Sequence, residues 1–429
     1  MHWIAETFTS DTGWSHLESL VEWNRMAGSD GERAAAEATR DVLADHARNA
    51  HLREFDIQGW ERGASSIEAD GDHECLALPR SPAGEATGAF VDLGYGLPED
   101  FEADLEGKIV MVASNVPSWY GRLIHRREKY YHAVEAGAAG FVFRNHIEGC
   151  LAPTGSVGTA EAPIGEIPAV GVSKEVGSTL ARRFEGEELT VQVDCETPQA
   201  TSQNVHAELG PDTDERVLVT SHVDAHDIAE GAMDNGAGTA MVVELARALA
   251  AREAELETKV EFVCFGAEEV GLLGSEYLAE QVDQSTIKAV LNNDGVVQGR
   301  NLTFYTHGFA GLRAAVETVG DRMGHPMEVN PQLGPHSDHW PFVVHGTPGI
   351  HVYAETGAEG RGWGHTRADT LDKLEKRDLR EQAVLLTELA VALASRETEL
   401  ERKDEAELVE RLEQEDLAEG MKITGDWPF

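Results

Sequence analysis

The stretch Val260–Leu278, "VEFVCFGAEEVGLLGSEYL", decides how this chain folds. Val260–Phe265 is an apolar run of strand length, and "LLGSEYLAEQV" from Leu272 has the spacing of a helix. A strand feeding directly into a helix is half of a βαβ unit, and the pattern recurs on both sides. "RVLVTSH" (216–222) precedes the helical "GAGTAMVVELARALAARE" (236–253), and "IKAVLNND" (287–294) and "NLTFYTH" (301–307) precede "AGLRAAVETVGDRM" (310–323). "GIHVYA" (349–354) is a further strand, and "DLREQAVLLTELAVALAS" (378–395) closes the series as a helix. The alternation predicts an α/β fold: a doubly wound, mainly parallel sheet flanked by helices. Ligands of such folds bind beyond the carboxyl ends of the strands.

Outside this series the character changes. Residues from about 12 to 50 read as helical, with a capping start in "SDTGWSHLESLVEW" and alanine-rich periodicity in "GSDGERAAAEATRDVLADHA". From about 80 to 197, short apolar strands alternate with turns, as in "GAFVDLGYG", "GKIVMVAS" and "IPAVGVS", interrupted by one helix, "REKYYHAVEAGAA". The expected division is a sheet domain from 1–75 and 200–396, an inserted mostly β domain at 80–197, and an acidic helical tail at 397–429. That tail is a candidate for surface packing or for joining subunits of a homo-oligomer.

The chain carries 77 acidic and 35 basic residues, a net charge of -42, and only nine of its basic residues are lysine. Such a field repels nucleic acid and anionic membranes, which bind through a basic footprint. It suits a proteome bathed in concentrated salt, where self-repulsion is screened. Cys75, Cys150, Cys195 and Cys264 show no metal-type spacing, and Cys264 sits inside an apolar strand. The N-terminus lacks a signal pattern and no run approaches membrane length, so a soluble cytoplasmic protein is expected. The "NLT" sequon at Asn301 is then a chance match.

The strand ends carry the chemistry. "VLVTSHVDAHD" ends on His222 and Asp224, two apart on an extended segment and so pointing to one side. That spacing suits a metal-binding imidazole whose second nitrogen is held by a carboxylate. Asp234 lies in the Gly-flanked "EGAMDNGAG", Glu268 and Glu269 follow Phe265, Asp294 ends "AVLNNDG", and His365 sits in "GWGHTRADT". Two imidazoles and three carboxylates suit zinc. They exceed what one tetrahedral ion with an open position takes, and fit two ions sharing a carboxylate. Cobalt or manganese would find the same donors acceptable. Other groups read as structural: His226, His336, His345 and His351 as surface or packing residues, and Asp338 as the cap of a short helix.

At these residues the sequence resembles the co-catalytic zinc aminopeptidases of metallopeptidase family 28, a family that includes glutamate carboxypeptidases and the catalytically dead transferrin receptors. "SHVDAHD", "GAMDNGAG", "FGAEEVGLLGS", "NNDG", "HSDHWPF" and "GHTRADT" occur in the family's order over about 200 to 375. The resemblance implies that Asp234 bridges two zinc ions, with His222 and Asp294 completing one and Glu269 and His365 the other. It implies Glu268 as the general base towards a bridging hydroxide, and Asp224 as the residue orienting His222. The segment 80–197 is similar to a protease-associated (PA) domain through "DLEGKIVMVAS", "AVEAGAAGFVFRN" and "IPAVGVS". In one respect the chain departs. Several relatives place a tyrosine beside the last metal histidine to stabilise the oxyanion; here Gly364 stands there, and His307 or Tyr353 is the replacement donor to look for.

The expected activity is removal of the N-terminal residue from peptides. A carboxypeptidase or N-acyl amino acid amidohydrolase would use the same ions but needs cations for a substrate carboxylate, and Arg361 and Arg367 flank His365. A transferrin-receptor-like binding protein would lack bound zinc. From the charge, raising potassium chloride from about 0.1 M to about 2 M is expected to raise the thermal midpoint, through screening of like-charge repulsion. A midpoint that stays level or falls would point to an ordinary acidic enzyme.

Overall fold

The computed structural model describes residues 2–355 and 362–429. They form two compact units: one comprises Met1–Ile57, Ala200–Gly364 and Asp369–Arg411, the other Gln58–Gln199, His365–Ala368 and Leu412–Phe429. The boundary lies earlier than the expected residue 75, because Glu61–Ala69 and Gly71–His73 are strands of the second unit's sheet. The acidic tail divides between the two units near residue 411.

The first unit is built on an eight-stranded sheet. At its centre Arg216–His222 pairs in parallel with Lys259–Phe265 on one side and Ile287–Asn293 on the other, and Gly349–Ala354 continues in parallel. Antiparallel partners flank this block: Gln199–Leu209 on one side and Leu302–Tyr305 on the other. The central strands are covered on both faces, hence their fully buried apolar runs 217–219, 262–265 and 289–291. Leu218, Val263, Phe265, Ile287 and Val290 pack with Leu278, Ala279 and Phe342 on one face. Helices Ala237–Ala250 and Lys376–Ala394, with buried Met241, Leu245, Leu386 and Leu389, belong to the opposite layer. The expected doubly wound α/β sheet is present.

Register then positions the chemistry. His222 pairs with Phe265, and Thr220 with Asn292, so the central strands end at one level. The residues just beyond, among them Glu268, Glu269 and Asp294, emerge along a common rim.

The second unit holds its own eight-stranded sheet, in which Gly84–Asp92, Ile109–Ala113, Gly140–Arg144 and Ala169–Val172 run parallel in succession. Leu78, Phe101, Val110, Val112, Tyr130 and Phe141 form its core. Two helices, not the single one expected, accompany these strands: Arg126–Glu135 and Lys174–Arg183. The second is short but well signalled, with Ser173 capping the Val176 N–H and Arg182 and Arg183 in the last turn.

Helices Thr12–Leu20 and Asp30–Ala44 meet at a buried imidazole: His16 Nε2 lies 2.9 Å from Thr39 Oγ1. Burial, helped by the Arg25 charge, pushes His16 down from 6.5 to about 4. Between those values the unfolded chain takes up a proton that the folded chain refuses, so this residue weakens the fold as pH falls from about 6.5 to about 4. His16→Gln keeps a partner for Thr39 and cannot titrate. Its urea midpoint should fall less steeply across that window than the wild type's; equal slopes would contradict the assignment.

Candidate metal centre

His222 ends its strand fully buried. Its Nδ1 lies 3.1 Å from the main-chain carbonyl of Asp224, which fixes the ring and leaves Nε2 for a ligand. Nε2 faces Asp234 Oδ1 at 3.3 Å, Asp294 Oδ1 at 3.8 Å and Glu268 Oε2 at 3.9 Å. The ligand atoms of His222, Asp234 and Asp294 all lie within 4.8 Å of one another. Burial alone would depress this imidazole, but the carboxylates of Glu268, Asp224, Asp234 and Asp294 outweigh it and hold His222 well above its ordinary range. The site is made for positive charge.

Each of these side chains is held by others. Asp294 is reached through a hydrogen-bonded chain: Thr220 Oγ1 donates to Asn292 Oδ1 (2.7 Å), Asn292 Nδ2 to Ser337 Oγ (2.7 Å), and Ser337 Oγ to Asp294 Oδ2 (2.6 Å). Asp234 precedes a cis peptide to Asn235. Its N–H and that of Met233 donate to the Asp369 carboxylate at 3.1 and 2.6 Å. Asn235 Nδ2 donates to the Asn293 carbonyl (2.9 Å), tying this loop to the neighbouring strand.

The turn carrying Glu268 and Glu269 is fixed from two sides. The Asp224 carboxylate accepts from both N–H groups, at 3.0 and 3.1 Å. It lies 3.5 Å from His222 Nδ1, farther than its own carbonyl, so its chief work is to hold the glutamate pair. Glu32, from helix Asp30–Ala44, accepts from Ala267 N–H (3.1 Å), Gly28 N–H (2.7 Å) and Ser202 Oγ (2.7 Å). Burial, with the Asp224 charge adding, pushes Glu32 up to about 8. Gly266 admits no side chain, since a Cβ would stand 2.3 Å from Ser202 Oγ and 2.6 Å from the Gln203 carbonyl. Neighbouring side chains in this turn point apart: Glu268 turns towards His222, whereas Glu269 Oε2 lies 3.0 Å from His226 Nε2. Burial pushes Glu268 well above the ordinary carboxyl range, and Glu269, Asp338 and Asp294 reinforce this against the charge of His222.

Several residues stand elsewhere than their sequence suggested. His226 is 6% exposed and lies against Glu269. Its spacing after His222 and Asp224, every second residue, was the available signal. Asp338 caps nothing: the helix Trp340–Val343 has no side-chain cap, and the Asp338 carboxyl is fully buried, pushed up to about 8 by that burial. His307 is fully buried with its ring stacked on His339 at 4.5 Å, and so offers no donor at an open surface. Tyr353 packs against Gly295, immediately after Asp294. His365, at φ 55°, falls in the second unit, where its carbonyl accepts from Thr154 N–H at 2.8 Å. Arg367 forms an exposed ion pair with Glu74, and Arg361 lies outside the described residues.

Arg25 had no counterpart in the sequence reading. It is 1% exposed and donates to the carbonyls of Leu20, Val223, Glu230 and Gly231 at 2.7–2.9 Å. It thereby holds both ends of the loop between His222 and Asp234.

Among known proteins, residues 204–390 match the model of peptidase family M28 and residues 76–180 that of the PA domain. Aminopeptidase YwaD of Bacillus subtilis is 27% identical over 399 residues, spanning 89% of this chain and 84% of that one. A solved zinc aminopeptidase from Bacillus subtilis matches with a TM-score of 0.71 at 25% identity, covering 89% of this chain and 94% of that structure. A peptidase M28 precursor from Shewanella amazonensis has the same fold, with a TM-score of 0.77 at 22% identity over 94% of this chain and 97% of its own.

The clamp on the glutamate turn is open to test. Asp224→Asn turns an NH2 group towards one of two N–H groups, leaving a buried donor unmatched at a cost of about 1–3 kcal/mol. Urea denaturation should register that loss; a variant as stable as wild type would show that the carboxylate does not hold the turn.

Proposed function

From the match of residues 204–390 to peptidase family M28 and of residues 76–180 to the PA domain, we propose that the chain is a zinc aminopeptidase of that family, releasing the N-terminal residue of peptides. The observation that carries the reading is the buried cluster of His222, Asp234 and Asp294, with Glu268 turned towards the same imidazole. A buried imidazole nitrogen facing three carboxylates fits a divalent cation. His222, Asp294 and Asp234 would hold one ion; Glu269 and His365 would hold a second, with Asp234 shared. Two such ions, when bound, lower the pKa of a water towards neutrality and polarise a carbonyl.

The chain's own groups do the rest. Glu268 accepts the proton of the attacking water on its carboxylate and passes it to the amine that leaves. Asp224 keeps Glu268 and Glu269 diverging, so that base and ligand do not compete for one position. Of the two proposed oxyanion donors we favour Tyr353, whose ring lies against Gly295 next to Asp294, over the fully buried His307.

The relatives favour an aminopeptidase over a carboxypeptidase. Aminopeptidase YwaD of Bacillus subtilis matches over 89% of this chain, and Arg367 forms only an exposed ion pair with Glu74. The functional division of the chain follows from this: a catalytic sheet domain with an inserted PA domain, supplied with peptides.

Glu268→Gln should retain zinc and fold while lowering turnover of an aminoacyl substrate by about 10²–10⁴-fold. N-acetylated peptides should resist the wild type. Undiminished turnover by the variant would remove Glu268 as the base, and cleavage of blocked peptides would favour an amidohydrolase.

A further inference from the structure

The ligands assigned to the second ion leave out a buried imidazole. His226 continues the series His222, Asp224, His226, in which alternate residues of an extended segment share a side. The segment is not loose: Ala225 N–H donates to the Arg25 carbonyl at 3.0 Å, and Arg25 anchors Val223, Glu230 and Gly231. On the opposite side, Glu269 is fixed by its N–H bond to Asp224. The two side chains are thus brought together from two anchored backbone segments cross-linked through Asp224, with Nε2 3.0 Å from Oε2 and both residues under 9% exposed.

That separation lies within a few tenths of an ångström of what one ion demands of two donors. At bond lengths of about 2.0–2.2 Å, neighbouring ligand atoms of a tetrahedral zinc stand roughly 3.4 Å apart. A simple ion pair between the two is the competing account. It would leave a monovalent charge on His226 as the balance to Glu269, while Asp224, Asp234, Glu268 and Asp294 crowd the space around His222. We propose that His226 is a direct ligand of the ion held by Glu269, giving that ion an additional imidazole. The inference rests on the metallopeptidase reading above and adds a donor that reading does not contain.

Cobalt supplies the test, because its visible spectrum reports the donor set directly. Metal-free wild type and His226→Ala would each be titrated with Co²⁺ and followed by absorption and by equilibrium dialysis. Wild type should bind two ions; the variant should keep one at wild-type affinity, bind the other at least about tenfold more weakly, and show a changed spectrum. Free imidazole should restore the spectrum. A doubly loaded variant with the wild-type spectrum would overturn the proposal, leaving His226 as a neighbour of the ligand only. Should His226→Ala fail to fold, zinc X-ray absorption on the wild type decides: three imidazoles per two ions support the proposal, and two contradict it. Wild type that binds no metal would instead sink the metallopeptidase reading itself.

Discussion

The fold converges on one electrostatic problem, a crowd of carboxyl groups in a buried space at the carboxyl ends of four parallel strands. Asp224, Asp234, Glu269, Asp294 and Asp338 are all 9% exposed or less, and Glu268 is only slightly more open. Isolated buried carboxylates are too costly to remain charged. Three outlets are visible. Some carboxylates accept backbone N–H groups, some are pushed towards the neutral form by burial, and the remainder surround His222, where positive charge is needed. Divalent cations are the natural answer to the last group.

Rigidity comes from main-chain hydrogen bonds made by buried charged side chains. Asp224, Asp369 and Glu32 accept from the turns that bear Glu268, Asp234 and Ala267, and Arg25 donates to the carbonyls flanking the Asp234 loop. Each clamp joins segments remote in sequence, so the N-terminal helices are part of the site's support and not only a cover for the sheet. A ligand set held through its own backbone needs little reorganisation when charge moves, which is what electrostatic catalysis requires.

Much of this was legible in the sequence, for a definite reason. Strands buried on both faces are largely apolar, so the first ionisable residue after each apolar run marks the rim: His222, Glu268 and Asp294 stand there. What stayed hidden were roles defined by a partner's backbone. Nothing local tells that Glu32 reaches Ala267, that Asp369 reaches Met233, or that Arg25 spans to Glu230. Asp224 was singled out for its spacing to His222, yet its carboxylate serves the turn 44 and 45 residues away. The long strands Arg48–Gln58 and Glu61–Ala69 are hard to read because only Phe55, Ile57 and Ile67 among their residues are buried, which dilutes a strand's apolar signature.

The proposed function depends on a pair of cations among these carboxylates. Diffraction from zinc-loaded crystals, recorded on either side of the zinc absorption edge, tests this most directly. Two anomalous peaks about 3.5–4 Å apart, one of them bounded by His222, Asp234 and Asp294, are the predicted result. A single peak there, or none, would contradict the account.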